Sequence, residues 1–401
     1  MSTLSIKPYF PFCRVRMTRQ SVSRIGDLAW IVAEPDARFH PVCHACGIPA
    51  NGIHSTTRRT LQDLNMGAAT VLINCKYRKV HCPHCQGIRV EDLDFFHPYQ
   101  RVTKRLARYI HDLCKVLTVA EVADHFDLDW KTVKNIDKAF LEEKFGTTDY
   151  DNLQILAVDE IAIQKGHRYM TVVLDYQTGR MVWLGKDRKA ETLNSFFQGM
   201  SQQQKQTLEA IAMDMWDPYI KAVRDQVPHV KIVFDCFHVV QSFNRVIDKV
   251  RVSEHKKAEQ SQQAVYKGTR YLLLTNKHNI RNPKARAHLK RLLELNETIS
   301  TVMILKDELK RIWRYRRRGW AQKCLDQWCT LARTVDYPAV HKFADMLERR
   351  ADGILNHCDF PIHTSKLEGV NNKIKVIKRK AYGFHDDRYF SLKVIQAFSY
   401  N

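Results

Sequence analysis

Four acidic residues of this chain lie next to predicted buried elements, where a carboxylate is unfavourable unless it has a structural or catalytic role. Asp159, Asp214 and Asp235 each close a short apolar run that is typical of a buried strand, and Glu368 lies in the polar segment 364–369. An acid at the end of a buried strand is unfavourable unless it is paired or binds a cation. Carboxylates on rigid neighbouring elements can hold two divalent metal ions about 3.5–4 Å apart, which is an arrangement for phosphoryl transfer. We therefore expect Asp159, Asp214 and Glu368 to be catalytic residues that bind two Mg²⁺ or Mn²⁺ ions.

The elements that must position these acids follow a mixed α/β order. The predicted elements are strands at 155–163, 168–175 and 181–186, a helix at 189–203, a strand ending at Asp214, a helix after 216–218 and a strand ending at Asp235. Three strands followed by helix, strand, helix and strand suit a ribonuclease H-like mixed sheet. After Val239 the pattern predicts almost only helix. The fold class is therefore α/β, with a large helical region beyond the sheet.

Strand order favours Asp214 over Asp235 as the second metal ligand. The first and fourth strands of a ribonuclease H-like sheet are neighbours, so Asp159 and Asp214 would meet at its centre, and a later helix would bring Glu368 across that face. Asp235 lies one strand further on, and we expect it and His238 to be near the site. Asp235 would become the second ligand if Asp214 were only structural. Each acid taken alone is equally compatible with capping the following helix.

Two CxxC motifs near the N-terminus have the spacing of a zinc site. Each pair can place two sulfurs on one tight turn, and four thiolates complete a tetrahedral, structural site with no open position. His44, His81 and His84 lie beside the motifs, and one of them could replace a sulfur. The predicted zinc ligands are Cys43, Cys46, Cys82 and Cys85. Short apolar alternations around these cysteines predict a small β-rich, zinc-ribbon-like module.

Residues 117–138 have the pattern of a helix-turn-helix. Thr118 and Glu121 form a capping-box signature for the first helix, and residues 127–129 would be the turn. The second helix, 130–138, would bury Val133 and Ile136. Its exposed face would carry polar and basic side chains, which a helix in the DNA major groove requires. The predicted DNA-binding residues on it are Lys131, Thr132, Lys134 and Asn135. Plain packing of a helical hairpin is the alternative explanation.

The charge balance of the chain points to a polyanion as its partner. Lys and Arg number 64 against 43 Asp and Glu, which gives a formal net charge of +21. Such a balance favours nucleic acid. No apolar run approaches the roughly 20 residues needed to span a membrane, and residues 1–20 have no apolar core typical of a signal peptide. The odd count of eleven cysteines without an export signal favours reduced thiols, so we expect a cytoplasmic protein that is nucleoid-associated when bound to DNA.

Two further segments have the composition of nucleic-acid contacts. After Glu368, the side chains Asn372, Lys375 and Arg379 recur at near-helical spacing and could steer DNA phosphates, with a solvated basic face as the alternative. Residues 311–320 interleave cations and aromatics, as surfaces that bind single strands do. A basic helix with its aromatic side chains packed inward is the competing interpretation.

In these motifs the chain resembles the ISL3 family of bacterial insertion-sequence transposases, which have a catalytic domain of the DDE type. The resemblance covers nearly the whole chain, and the segments that carry it, besides the two CxxC pairs, are 156–160, 212–219, 233–240, 365–375 and 380–384. It implies a ribonuclease H-like core interrupted by a helical insertion. Asp235 and His238 are similar to the Asp-x-x-His element after the fifth strand of Mutator and hAT transposases, a second reason to leave Asp235 out of the triad. Cys236 departs from the family pattern, in which we expect a basic residue.

The resemblance implies a domain order and a function. The domains are a zinc module at 1–98, a helix-turn-helix domain at 99–150, a catalytic domain at 151–240 and 358–401, and a helical insertion at 241–357. The N-terminal domains would bind the terminal inverted repeats of the element, and the triad would cleave the ends and join them to target DNA. Joining two ends implies a homodimer or a larger synaptic assembly, with no membrane partner. The alternatives are an inactive DNA-binding regulator derived from a transposase and a structure-selective nuclease.

Overall fold

The computed structural model describes residues 7–164, 168–362 and 365–399, and the chain divides into two units, Met1–Lys144 and Phe145–Asn401. Each unit has its own sheet. Within the described residues, none of the helices combines the length and the apolar character needed to cross a bilayer.

The first unit begins with a sheet that confirms the predicted β-rich module. Its strands are β1 (Val15–Val22), β2 (Leu28–Pro35), β3 (Gly52–Met66), β4 (Ala69–Cys82) and β5 (Gly87–Val90). They are ordered β1-β2-β4-β3, and β5 also pairs with β4. The long hairpin of β3 and β4 turns at Gly67, whose φ of 61° favours glycine. Apolar residues such as Ile31, Leu61 and Ile73 are buried on one side of this sheet.

Three helices complete the first unit and have the predicted helix-turn-helix arrangement. They are α1 (Lys104–Leu113), α2 (Val119–Phe126) and α3 (Trp130–Phe145). The capping box of Thr118 and Glu121 is present, and Asp127, with φ 51°, ends α2 in the left-handed conformation. Val133 and Ile136 are buried on the inner side of α3, as the apolar pattern predicts. The second helix is longer than predicted because its apolar face continues to Leu141.

The sheet of the second unit is mixed and central. Its strands are β6 (Ile155–Gln164), β7 (Arg168–Asp175), β8 (Met181–Lys186), β9 (Ala210–Met213) and β10 (Lys231–Phe234). The order is β10-β9-β6-β7-β8, so the first and fourth of these strands in the chain are neighbours, as expected. β6 is parallel to β9 and antiparallel to β7, and β9 is parallel to β10.

Both faces of this sheet are covered, and alternate residues of one strand serve the two sides. Leu156 and Val158 belong to a core that continues into the helical region. Ala157 and Ile161 belong to a second core, on the side covered by the C-terminal helices. The sheet is therefore buried between two helical layers. Asp214 and Asp235 directly follow the ends of β9 and β10, whereas Asp159, expected at a strand end, lies within β6 because that strand continues to Gln164.

The helices of the second unit have the following bounds: α4 Ala190–Gln198, α5 Gln202–Gln206, α6 Asp217–Gln226, α7 Cys236–Lys257, α8 Gln263–Tyr266, α9 Arg270–Leu274, α10 Pro283–Leu295, α11 Glu297–Leu309, α12 Arg318–Arg333, α13 Pro338–Arg349, α14 Ala351–Leu355, α15 Ser365–Lys380 and α16 Asp387–Ala397. The single helix predicted at 189–203 is wrong, because Ser201 caps a separate α5. The segment 311–320 is not one helix either. It forms a short 3₁₀ turn at Ile312–Arg314 and the start of α12.

Candidate functional site

The strand register of the second sheet aligns three of the predicted acids. Ala157 of β6 pairs with Ala212 of β9, and Ala212 pairs with Val233 of β10. Extended by two residues, this register sets Asp159 beside Asp214 and Asp214 beside Asp235. Neighbouring strands lie about 4.8 Å apart, so the three aspartates follow one another across β6, β9 and β10, at the level where β9 and β10 end.

Asp159 is held by two hydrogen bonds. The backbone N–H of Glu160 donates to its Oδ1 at 2.8 Å, and Nδ2 of Asn371 donates to its Oδ2 at 2.7 Å. Asn371 lies on α15, three residues after Glu368, so the two side chains share one face of that helix. The hydrogen bond therefore joins the helix that carries Glu368 to the strand that carries Asp159. Glu368 itself is exposed to solvent.

Asp214 is half-buried in a negatively charged environment. Its Oδ1 accepts a hydrogen bond from the backbone N–H of Trp216 at 3.1 Å. Burial raises the pKa of Asp214, the charges of Asp159 and Glu160 raise it further, and His238 opposes them. Asp159, Asp214 and His238 are thus brought together, and the repulsion between the carboxylates is of the kind that a bound cation relieves.

Asp235 has a different environment from Asp214. It is 7% exposed and caps α7, because its Oδ1 accepts from the backbone N–H of Phe237 at 3.1 Å. Its Oδ2 has no hydrogen-bond partner among the residues that the structure describes. The register leaves Asp214 between Asp159 and Asp235, so Asp214 is the acid adjacent to Asp159.

Arg188 is a residue of this site that the sequence interpretation missed. Its guanidinium forms an ion pair with Glu160 at 3.0 Å and lies over the rings of Tyr169 and Trp216, at 4.2 and 5.0 Å from their centres. The hydrogen bond that Arg188 donates to the carboxylate of Glu160 raises the pKa of the guanidinium, so the cation is retained. No local pattern around Arg188 signals this contact, although Glu160 is visible as the neighbour of Asp159.

The residues present fit divalent metal ions. Carboxylate oxygens are the ligands that Mg²⁺ and Mn²⁺ prefer. Asp159, Asp214 and Glu368 do not all lie within 4.8 Å of one another, so their carboxylates do not form a compact site for a single ion.

Four cysteines of the first unit converge as the spacing of the CxxC motifs predicts. The sulfurs of Cys43 and Cys85 are 3.9 Å apart, and those of Cys46 and Cys82 are 3.5 Å apart. A tetrahedral zinc with bonds of about 2.3 Å requires separations of about 3.8 Å. The backbone N–H of Cys85 donates to the sulfur of Cys82 and helps to lower the pKa of that thiol to about 7. In the described part of the chain, this is the one group of three or more such side chains with all ligand atoms within 4.8 Å.

The neighbouring histidines do not join this group. The ring of His44 bonds the carbonyl of Val90 at 2.9 Å, and His81 lies against the ring of His54. The arrangement can therefore hold a metal ion with four sulfurs.

Comparisons with known proteins show the family of the chain. Residues 156–394 match the DDE family of ISL3 elements, described as a transposase, and residues 91–141 match the helix-turn-helix domain of transposase family ISL3. The chain belongs to the ISL3 family of transposases. It is 39% identical to the transposase for insertion sequence element IS1001 of Bordetella parapertussis, over 92% of each chain. It is 22% identical to the transposase for insertion sequence element IS1557 of Mycobacterium tuberculosis, over 90% of this chain and 86% of that one.

In the transposase, two of the four predicted DNA-binding side chains of the helix-turn-helix are exposed to solvent. Lys131 and Asn135 are exposed on α3, whereas Thr132 and Lys134 are half-buried. Trp130, which the prediction did not include, is 52% exposed at the start of this helix. The outward face of α3 therefore combines polar, basic and aromatic groups.

A second polar face of the transposase lies on α15. Asn372, Lys375 and Arg379 are exposed there, while Ile374 is buried and Ile377 packs partly beneath. This face continues along the helix that carries Glu368, so its cations lie on the element that also contacts Asp159.

Proposed function

We propose that this transposase cleaves the ends of its insertion sequence and joins them to target DNA through a DDE triad of Asp159, Asp214 and Glu368. The observation that supports it best is the strand register, which aligns Asp159 with Asp214, together with the hydrogen bond from Asn371 that ties α15 to Asp159. The membership in a transposase family agrees with this chemistry.

The catalytic core is proposed to be ribonuclease H-like. Counted from β6, the sheet has the strand order 3-2-1-4-5, with the first three strands antiparallel and the last two parallel to the first. The proposed catalytic domain is 151–240 and 358–401, and residues 241–357 are its helical insertion. Residues 1–98 and 99–150 are the proposed zinc and helix-turn-helix domains.

Asp159, Asp214 and Glu368 would hold two Mg²⁺ or Mn²⁺ ions. When bound, these ions supply activation of the attacking water or 3′-hydroxyl and stabilise the leaving oxygen of the phosphodiester. The side chains around the acids have their own parts. Asn371 fixes one oxygen of Asp159, and the N–H of Trp216 orients Asp214. Arg188 neutralises Glu160, so this fourth carboxylate does not add a full charge against the phosphate.

DNA would be bound by the polar faces of α3 and α15. The cysteine cluster would stabilise the first unit, which contains α3. Lys375 and Arg379, both exposed on α15, would contact phosphates. The helix α3 would contact the terminal inverted repeats with Lys131, Thr132, Lys134 and Asn135. Asn372 would contact DNA beside Lys375. Cys43, Cys46, Cys82 and Cys85 would bind a structural zinc. Because two ends must be joined, the working form is proposed to be a dimer or a larger synaptic assembly.

Strand cleavage and joining of a labelled DNA that carries the terminal repeats tests this proposal. Wild-type protein should cut and join in buffer with Mg²⁺ and not in the same buffer without a divalent metal ion. Asp159→Asn, Asp214→Asn and Glu368→Gln should each reduce cleavage by at least 100-fold, a loss of about 2.7 kcal/mol in the transition state, while end binding stays within twofold.

Asp235→Asn is the matched control for the choice of the second ligand. Asparagine keeps the cap of α7, so the variant should fold and retain cleavage. Retained cleavage by Asp214→Asn together with loss in Asp235→Asn would move the ligand to Asp235. End binding without any metal-dependent cutting by the wild type would favour a regulator instead.

A further inference from the structure

The loop between β9 and α6 carries Asp214 and, two residues later, Trp216. The backbone N–H of Trp216 donates to Oδ1 of Asp214 at 3.1 Å. The carbonyl of Trp216 accepts the backbone N–H groups of Tyr219 and Ile220 at 3.1 and 3.2 Å, which makes Trp216 the N-cap residue of α6. The position of Trp216 therefore decides how the carboxylate of Asp214 is oriented.

Burial alone does not fix Trp216, because the residue is 38% exposed, which is high for a tryptophan. Arg188 contacts it in two ways. The indole Nε1–H donates to the carbonyl oxygen of Arg188 at 3.2 Å, and the Arg188 guanidinium lies 5.0 Å from the centre of the Trp216 ring. One residue thus contacts both the polar and the apolar part of the indole.

Arg188 is in turn attached to β6 and β7. Its Nη1 donates to both carboxylate oxygens of Glu160, at 3.0 and 3.2 Å, and its guanidinium lies 4.2 Å from the ring centre of Tyr169. The N–H of the preceding residue, Asp187, donates to the carbonyl of Tyr169 at 2.9 Å, and its carbonyl accepts from the hydroxyl of Thr171 at 2.7 Å. Both the side chain of Arg188 and the backbone before it are therefore fixed to the sheet.

These contacts connect the two aspartates that the strand register aligns. The members of the connection are, in order, Asp159, Glu160, Arg188, Trp216 and Asp214. Successive residues of a strand point to opposite faces, so the side chain of Glu160 points away from that of Asp159. Arg188 therefore links the two strands without lying between the carboxylates of the acids.

We propose that Arg188 is a positioning residue that sets the separation of the Asp159 and Asp214 carboxylates, and thereby the affinity of this site for divalent metal ions. The two carboxylates repel each other in the free protein, so contacts with the surrounding structure must fix their separation. The side chains of Arg188 and Glu160 are 35% and 28% exposed, and such ion pairs contribute little to stability. Stability alone therefore does not account for the arrangement. The inference rests on the proposed triad and adds to it a residue that does not touch the metal ions.

Binding of Mn²⁺ to the zinc-loaded full chain without DNA tests the proposal. Electron paramagnetic resonance measures free Mn²⁺, so the affinity is obtained without any cleavage. Arg188→Met removes the cation, whereas Arg188→Lys keeps a cation and removes the planar group that contacts Glu160 and the two rings. Trp216→Phe keeps an aromatic ring, removes the indole N–H and leaves the ion pair in place. Lys189→Met is the matched control, because Lys189 is an exposed neighbouring cation outside these contacts.

Arg188→Met and Arg188→Lys should each weaken Mn²⁺ binding about tenfold, as changes behind metal ligands do, and Trp216→Phe about fivefold. Lys189→Met should bind as the wild type does. Adding Glu160→Gln to Arg188→Met should not restore the affinity, because the contacts with Trp216 are still lost. The Arg188 variants should also need about tenfold more Mg²⁺ for half-maximal end cleavage, with KM for DNA changed less than about threefold.

Wild-type affinity for Mn²⁺ in Arg188→Lys, or affinity restored by Glu160→Gln, would show that Arg188 only neutralises a charge and would overturn the proposal. The triad is judged from Asp159→Asn and Asp214→Asn in the same titration. Unchanged Mn²⁺ binding in both would overturn the proposed triad. Weakened binding in both, with wild-type binding in the Arg188 and Trp216 variants, would overturn this inference alone.

Discussion

At the residue scale, Asn371 shows what sequence spacing cannot supply. Asp159, Asp214 and Glu368 were predicted from strand ends and a helical segment, because local apolar patterns mark those places. The contact between Asn371 and Asp159 spans 212 positions in the chain, and no local pattern records it. The same is true of Arg188 and Glu160. The sequence pattern therefore singled out these acids, whose role as a triad stays a prediction, whereas their hydrogen-bond and ion-pair partners were visible only in the fold.

Asn371→Ala should slow the chemical step more than it weakens DNA binding. The variant removes a hydrogen bond that orients the carboxylate of Asp159. Misorientation of a catalytic group raises the barrier of the chemical step, and it need not change the affinity for DNA. We expect kcat for end cleavage to fall roughly 10- to 100-fold with KM changed less than threefold. Single-turnover cleavage measures the first quantity and end titration the second.

Asn372→Ala is the matched control for that variant. Asn372 is the exposed neighbour of Asn371 on the same helix, so its loss should affect KM and leave kcat unchanged. A fall in kcat as large as that of Asn371→Ala would show that the effect belongs to the helix and not to the hydrogen bond. Asn371→Gln should not rescue, because the longer side chain moves the amide.

At the element scale, strand positions were predicted well and helix divisions poorly. β7 and β8 have the predicted bounds, because alternation ends sharply at turn residues such as those before Arg180. The predicted helix at 189–203 spans two helices, because the capping box of Ser201 and Gln204 begins a new one. Segment 311–320 also divides, because Ile312 is fully buried and fixes a tight turn where aromatics and cations alternate.

Thr118→Ala should destabilise α2 locally. The Thr118 hydroxyl accepts a hydrogen bond from the backbone N–H of Glu121, and the Glu121 carboxylate accepts one from the backbone N–H of Thr118. Alanine at position 118 removes the hydroxyl and leaves the N–H of Glu121 without this acceptor. The expected loss is about 1 kcal/mol, which raises the hydrogen-exchange rate of α2 amides about fivefold. Thr118→Ser keeps the oxygen and should exchange as the wild type. Unchanged exchange in the alanine variant would mean that packing of Val122 and Phe126 alone holds this helix.

Asn135→Ala tests whether α3 reads base sequence. An exposed asparagine can contact adenine with two hydrogen bonds, and each such contact is worth about 1–3 kcal/mol of discrimination. Affinity for the terminal repeats should fall roughly 5- to 160-fold with little change for unrelated DNA. Lys131→Ala should instead weaken both DNAs alike and reduce the salt dependence of binding. Equal losses of affinity for both DNAs in Asn135→Ala would mean that this side chain contacts the DNA phosphate backbone and not a base.

At the scale of the whole molecule, charge and division into units have separate consequences. The excess of 21 positive charges favours any DNA, so sequence selection must come from particular faces such as α3. The four-cysteine cluster lies in the first unit and the acids lie in the second. Folding of the first unit can therefore depend on zinc while the acids depend on a different metal, and the two dependences are separable by experiment.

Zinc removal should unfold the first unit selectively. The cluster joins the loop after β2 to the turn between β4 and β5, and four thiolates without an ion lose the bonds that hold these turns. Cys46→Ser should abolish stoichiometric zinc, measured by plasma mass spectrometry, and should lower the first of two thermal transitions while leaving the second in place. End binding should be lost with that transition. Cys13→Ser is the matched control, because Cys13 is exposed and outside the cluster. If Cys46→Ser keeps both its zinc and its first thermal transition, the hypothesis of a four-sulfur site is wrong. If both transitions are lost together, the two units unfold as one.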